Sequence, residues 1–305
     1  MITAVDTARD DQTTLWCTVW NTVRPLRGRT PAELRYEAEL DARTELWLVH
    51  DISGRPVGAV RLTDSRWTAA GEPLEGRLAL VPSATAFTPM ILDALCGRAR
   101  RLGAQGLQVE CRDVRADAAV RHALETAGFV CGDRDVESTL DVTRATERPS
   151  SAPAGIRVAT LASRPDLAAS AHRCFCLADA DEPTDEAVAV RPFHDWVRDF
   201  ESPWTSFGDC LLAVTDDDEV VGWASLERFG ASPDVGWNGF TGTHPDHRRR
   251  GLAGHLKLAM LAYARQLGLR ELRTENHVDN VAMLHLNARL GYIPSHINAW
   301  WRIDL

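Results

Sequence analysis

No CxxC pair occurs among the seven cysteines of this chain, which are odd in number and scattered (Cys17, Cys96, Cys111, Cys131, Cys174, Cys176, Cys210). That spacing argues against a zinc site or a redox dithiol and leaves reduced, mostly packed thiols as the expectation. An apolar leader core is also missing: MITAVDTARDDQ brings in charge within a few residues, and no run approaches the ~20 apolar residues of a membrane span. The expectation is a soluble, cytoplasmic protein without a membrane partner. Positive charge is in deficit, with a formal net charge of -9, so nucleic acid is not an expected partner. The Walker spacing G-x-x-x-x-G-K-S/T is absent too, and no metal-dependent NTPase is implied. His244 and His247 in HPDH have no cysteine or carboxylate cluster to complete a site, so no metal is expected.

What the chain does have is length, composition and an internal echo. Its 305 residues, 45% hydrophobic and 25% charged, suit two ordinary soluble domains. LWLVHDISGRPVGAVRL, ending at Leu62, resembles CLLAVTDDDEVVGWASL, ending at Leu226, and places Gly58 against Gly222. ARRLGAQGLQVEC from Ala99 matches ARQLGLRELRTEN from Ala264, and ALETAGF matches LNARLGY. Three segments keep one offset within a residue or so. The chain reads as two copies, residues 1–145 and 156–305, joined by a Pro/Ser/Ala linker at 146–155.

The second copy shows its elements more clearly. Cys210 to Val214 and Glu219 to Leu226 read as a hairpin around DDD, and Val235 to Thr243 as a third strand. Leu252, Leu256, Ala259, Met260 and Tyr263 recur at helical spacing up to the stop at Gly268. LRELRTEN is a short strand, Val281, Leu284 and Ala288 mark another helix, and a last strand ends in AWWRI. Each copy is therefore expected to be α+β.

Between the third strand and the long helix lies HRRRGLAGHLK, His247 to Lys257. A strand that ends in a turn at a helix N-terminus leaves several N–H groups unpartnered, with about half a positive charge behind them. Gly251 and Gly254 allow close backbone approach, and Arg248, Arg249 and Arg250 offer forked donors. The pyrophosphate of a nucleotide-type cofactor fits such a cradle.

THPDHRRRGLAGHL resembles the acetyl-CoA-binding motif of the GCN5-related N-acetyltransferases (GNAT), Q/R-x-x-G-x-G/A, with Arg248, Gly251 and Ala253 at the defined positions. NVAMLHLNARLGY resembles the family's later motif, N-x-x-A/M-x-x-L-Y-x-K/R-x-G-F/Y, through Asn280, Met283, Leu286, Arg289, Gly291 and Tyr292. The resemblance implies two tandem GNAT-like domains, each a mixed, mostly antiparallel sheet flanked by helices. It also implies acetyl-CoA as co-substrate, held in the second domain by Thr241, Gly242, Thr243, Arg248, Arg249, Arg250, Gly251, Leu252, Ala253, Gly254, Asn276, Asn280 and Met283. The thioester would then lie between the third and fourth strands of that copy. The first copy keeps the frame without the cradle: PSATAFTPM puts Thr85, Thr88 and Met90 where the motif needs Arg248, Gly251 and Ala253, and Pro89 lacks an N–H.

Transfer of an acetyl group to the amine of a small molecule, by direct attack in a ternary complex, is the implied activity. Two departures bear on mechanism. Where the family places a tyrosine that protonates the leaving sulfur, this chain has Asn287, which can hydrogen-bond but is no acid. The strand before the loop carries no carboxylate, leaving Glu227 and Glu275 as bases acting through water, with His244 a third candidate. The alternatives are a non-catalytic acyl-CoA sensor or scaffold, or an acyltransferase with a carrier-protein donor or a protein acceptor. The acidic LADADEPTDEA, from Leu177, falls where the resemblance puts acceptor-side loops, as a solvated loop or an attractor of a cationic amine.

Overall fold

The computed structural model describes residues 1–41, 43–64, 73–145, 152–184, 190 and 192–305. Most of the expected linker, at 146–151, and the end of the acidic loop, at 185–187, lie outside the described residues. The first half runs β1 (Ile2–Ala4), α1 (Asp10–Val23), α2 (Pro31–Leu40), β2 (Glu45–His50), β3 (Pro56–Asp64), β4 (Leu74–Leu80), α3 (Thr88–Arg101), β5 (Gly106–Arg112), α4 (Ala118–Thr126) and β6 (Val130–Asp141). The second half repeats the order: β7 (Ile156–Thr160), α5 (Ala168–Asp179), α6 (Phe193–Asp199), β8 (Cys210–Thr215), β9 (Val220–Glu227), β10 (Val235–Thr243), α7 (Leu252–Gln266), β11 (Glu271–His277), α8 (Val281–Leu290) and β12 (Ile293–Asp304). No helix among the described residues is long and apolar enough to cross a membrane.

Local chemistry accounts for these elements. Thr30 and Glu33 form a capping box that starts α2 behind a proline. α7 buries Leu252, Leu256, Met260, Leu261 and Ala264, a stripe at helical spacing, and stops before Gly268 at φ +75°. β9 is buried along almost its whole length because helices cover both faces, which is why VVGWASL reads as a continuous run and not as alternation.

The strands form one twelve-stranded sheet in the order β1-β2-β3-β4-β5-β12-β6-β11-β10-β9-β8-β7. The halves exchange their last strands. β12 pairs with β5 of the first half, β6 pairs with β11 of the second, and β6 and β12 meet antiparallel at the centre. Each core is completed by the other half's strand: Ala299 and Trp301 pack into the first, Leu140 and Val142 into the second. At about 1.5–3 kcal/mol for a large apolar side chain, this exchange ties the halves together through their cores.

Alternation along the strands sorts the two faces. Helices α3 and α4 cover one face of the first half, and α7 one face of the second. Helix α1 packs on the opposite face through Trp16 and Trp20, and α5 and α6 do so through Phe175 and Trp196. Between these last two helix layers the central strands are left with a polar face, and that face floors the cleft.

Candidate functional site

β10 and β11 run parallel and paired from Val235 and Glu271 as far as Asn238 and Thr274, then part. β10 keeps β9 beyond a register shift, with Thr241 opposite Ala224 and Thr243 opposite Gly222. N–H groups of the Gly239 to Thr243 stretch that point away from β9 therefore face an open wedge. Gly242 is required there, since a Cβ would lie 2.5 Å from that of Ala178 on α5.

The wedge leads into the arginine turn. Arg249 (φ +59°) and Gly251 (φ +80°) both take the left-handed conformation, and Gly251 is the N-cap of α7. No side chain caps that helix, whose first turn is entered by the bond from His255 N to Gly251 O, so the N–H groups of Leu252, Ala253 and Gly254 point outward. Arg248 reaches back, donating from Nε to Thr243 O at 3.3 Å and pairing with Asp181 at 2.6 Å. Asn280 caps α8, its Oδ1 accepting from Met283 N at 3.2 Å.

A cleft of about 1340 Å³ runs from this turn across the sheet into the first half. Among the residues expected at the site, Thr241, Gly242, Thr243, Arg248, Arg249, Gly251, Leu252, Ala253, Gly254, Asn276, Asn280, Met283, Glu227 and Glu275 line it. Arg250 and Asn287 do not. Arg250 turns to His247 Nδ1 at 2.8 Å, while Asn287, 2% exposed, donates from Nδ2 to Asn276 Oδ1 at 2.7 Å. Glu275 is engaged by Arg27 and by the Asn298 amide. Tyr292 is buried, donates to Asn238 Oδ1 at 2.7 Å and has its phenol pushed up by burial; Asn238 Nδ2, where the strands part, has no partner.

The first half supplies much of the cleft, through residues that the sequence did not single out. The turn Pro25–Arg27 docks on the second half: Trp237 Nε1 donates to Leu26 O at 3.2 Å and the Arg27 guanidinium lies 4.1 Å over the Trp237 ring. Asp133 and Asp135 come from β6, beside β11 because of the strand exchange, with Asp135 opposite His277. The end of α5 and the acidic segment after it close the same end with Asp179, Asp181 and Glu182. Burial, then the charges of Glu275, Asp133 and Glu182, pushes Asp135 up to about 7 against the opposing pull of Arg27. Burial, then Asp179, takes Glu182 to about 7 as well.

The corresponding wedge of the first half is filled. β4 and β5 pair only as far as Arg77 and Glu110. Beyond that point Arg24 occupies the gap, donating from Nε to Leu78 O at 3.0 Å and pairing with Glu110 at 2.8 Å. Burial alone would raise the Glu110 carboxyl, but the guanidinium groups of Arg24 and Arg77 outweigh it and hold it low. At the turn, Pro82–Phe87 forms a tight helix running straight into α3, whose Thr88 is fully buried.

The profile of the acetyltransferase (GNAT) family matches residues 166–292. A search of curated proteins finds no match. Among solved structures, the chain is similar to a GCN5-related N-acetyltransferase from Sphaerobacter thermophilus, with 17% identity, TM-score 0.76 and coverage of 100% of this chain and 95% of that one. It is similar to a tandem GNAT protein from the clavulanic acid biosynthesis pathway at 19% identity and TM-score 0.76, over 100% and 98%. N-myristoyltransferase from Saccharomyces cerevisiae, with bound myristoyl-CoA, aligns at 10% identity and TM-score 0.65, over 100% and 80%. The family's profile thus falls within the second half, and the chain as a whole has a fold similar to that of a tandem GNAT protein.

Proposed function

We propose that the protein transfers an acetyl group from acetyl-CoA to an amine of a small molecule, at one site per chain, in the second half. The observation that carries this is the junction of the β10/β11 wedge with the uncapped, glycine-started N-terminus of α7. The outward N–H groups of Leu252, Ala253 and Gly254 suit a pyrophosphate, and Gly251, with open space where a Cβ would stand, leaves room for it. The wedge suits an extended thiol arm entering between the strands, and the match to the acetyltransferase family and the acyl-CoA bound by the similar myristoyltransferase support this reading.

Acetyl-CoA would supply a thioester whose C–S bond breaks as the C–N bond forms. The chain's own groups do the rest. Free N–H groups of β10 and the Asn238 amide are donors for the acyl oxygen, where charge develops. The amine must shed a proton and the thiolate must gain one. Glu227 and Glu275 line the cleft on either side of the wedge and are the bases within reach through water. A thiol with pKa about 8.5 leaves as thiolate with hydrogen bonding alone.

Isothermal calorimetry and a thiol-release assay test the reading together. One acetyl-CoA per chain and amine-dependent thiol release are expected. Binding without release under any amine would favour an acyl-CoA sensor, and two equivalent sites would overturn the assignment to the second half.

A further inference from the structure

We propose that the acceptor carries a second cationic nitrogen, held by the carboxylates of Asp135 and Glu182 at the acidic end of the cleft. This rests on the acyltransferase reading above and names the class of its acceptor, a small diamine.

The argument begins with which oxygens are already occupied. Asp133 accepts from Thr184 Oγ1 at 2.9 Å and lies 3.4 Å from His277 Nε2, and Glu275 is taken by Arg27 and Asn298. Among the described residues, the side chains of Asp135 and Glu182 have no hydrogen bond or ion pair. Two carboxylates without a hydrogen bond or ion pair, in a wall that already holds Asp133 and Glu275 and with only the more distant charge of Arg27 to offset Asp135, are unfavourable in the absence of a ligand. Their proton affinities, raised to about 7, are the expression of that cost.

A buried neighbour points the same way. Asn298 is 3% exposed, lines the cleft and stands opposite Asp135 across the β6/β12 pair. Its Nδ2 is committed to Glu275, which fixes the orientation of the amide, and its Oδ1 is left without a partner. Asn298 Oδ1 and the carboxylate oxygens of Asp135 and Glu182, the groups left without a hydrogen bond beside the Arg27–Glu275 pair, are acceptors. A ligand that completes them must bring N–H donors and positive charge. Among the described residues no three His, Cys, Asp or Glu side chains are grouped to hold a metal ion.

Distance separates this corner from the reacting amine. The wedge opens between β10 and β11, and Asp135 sits on β6, the next strand over, about 5 Å farther across the sheet. One nitrogen can face the wedge while a second, a few bonds away, reaches Asp135. Asp135 and Asn298 are also equivalent positions of the two copies, and the carboxylate is the one beside the open wedge, while the amide is the one beside the wedge that Arg24 fills.

The test uses the full chain, acetyl-CoA and three probes of similar length: 1,4-diaminobutane, 1-aminobutane and 4-aminobutanoate. Thiol release should give a kcat/KM for the diamine about 30-fold above that of the monoamine, the scale of a charge-assisted hydrogen bond, with the amino acid poorest. Asp135→Asn and Glu182→Gln should each pull the diamine/monoamine ratio down about tenfold, with acetyl-CoA affinity unchanged by calorimetry. A wild-type ratio near one, or a ratio indifferent to Asp135→Asn, overturns the proposal. Calorimetry of 1,4-diaminobutane in the presence of CoA supplies a readout without turnover. Asp135-dependent diamine binding with no release from any amine would sink the acyl-transfer reading and leave the cation site standing, whereas release from amines without such binding would do the reverse.

Discussion

Asn287 donates to Asn276 across 2.7 Å, from a buried position that borders a separate groove and not the cleft, while Asn276 lines the cleft. The residue at the family's tyrosine position thus holds another asparagine in place. Asn287→Ala should leave the Asn276 oxygen without its donor, cost about 1–3 kcal/mol of stability and slow transfer modestly. Asn287→Tyr must force a ring into a position only 2% exposed and should destabilise by about 1–3 kcal/mol. Denaturant titration and steady-state kinetics on both variants check this. A tyrosine variant that is fully stable and faster would show that the site keeps room for an acid on the sulfur.

Gly251 separates folding from binding. Its φ of +80° disfavours any other residue, but nothing stands within 4 Å of where a Cβ would be, and an aspartate there faces the positive end of α7. Gly251→Asp should therefore fold with a stability change of about 1 kcal/mol, yet bind acetyl-CoA at least ~100-fold more weakly, because its carboxylate opposes the pyrophosphate. Met90→Asp, at the counterpart position to Ala253 in the first half, should leave binding unchanged. Calorimetry on the two variants decides, and equal losses would mean that both halves bind.

The repeat and the order of elements were legible in the sequence because each copy carries the same turn glycines, Gly103 and Gly268, Gly128 and Gly291, all in the left-handed conformation that ends a helix. The turn that starts α7 was legible because its chemistry is local: Arg248 to Gly254 are contiguous. The other wall was not. Asp135 lies in a strand that the sequence assigns to the first copy, and only the exchange of β6 and β12 brings it beside β11. Exchange leaves no periodic signal, since the strand has the same pattern whichever neighbour it takes. Arg27 escaped notice for the same reason, standing in a short turn whose partner Glu275 is 248 residues away.

Arg24 makes the first wedge a structural element. Arg24→Ala should leave Glu110 short of a buried partner and cost about 3 kcal/mol, discounted by the remaining pair with Arg77 at 2.8 Å. Adding Glu110→Gln should recover part of that loss, since the stranded charge is removed with its partner. Thermal melts of the single and double variants report this, and neither should gain a second acetyl-CoA site. Appearance of one would show that Arg24 alone blocks the first half.

Lys257 gives a pH signature with a defined sign. It is 3% exposed on α7, its Nζ 5.3 Å from the centre of the Tyr292 ring, and burial lowers its ammonium to about 7. Between pH 7 and 10.5 the unfolded chain binds this proton and the folded chain does not, so wild type should gain stability relative to Lys257→Met as pH rises through that window. Urea midpoints at pH 7 and 10 measure the gap, which should narrow by a few kcal/mol at most. A constant gap would mean that the ammonium is solvated in the folded protein.

Asp135 should behave in the opposite sense, and the comparison tests whether its carboxylate is held for a ligand or for the fold. Glu275, Asp133, Glu182 and Arg27 act on it by charge, and His277 stands opposite on β11, so the measurement is the difference between wild type and Asp135→Asn, in which those groups are common. Near pH 4 the folded carboxyl is protonated and the unfolded one is about half so, and the two proteins should be close in stability. As pH rises toward 7 the unfolded carboxylate ionises while the folded one keeps its proton, because its value lies at about 7. Wild type therefore loses stability relative to the variant across that window and gains none of it back above it. Asp135→Asn should melt higher at pH 8, by about 2–4 °C for each kcal/mol of strain relieved in a chain of this size or somewhat less, while losing the preference for a diamine. Added 1,4-diaminobutane should raise the melting temperature of wild type and leave the variant where it is. If the variant instead melts lower at pH 8 and higher at pH 5, the charged carboxylate has a partner that stabilises the fold, and its place in the cleft wall would be structural.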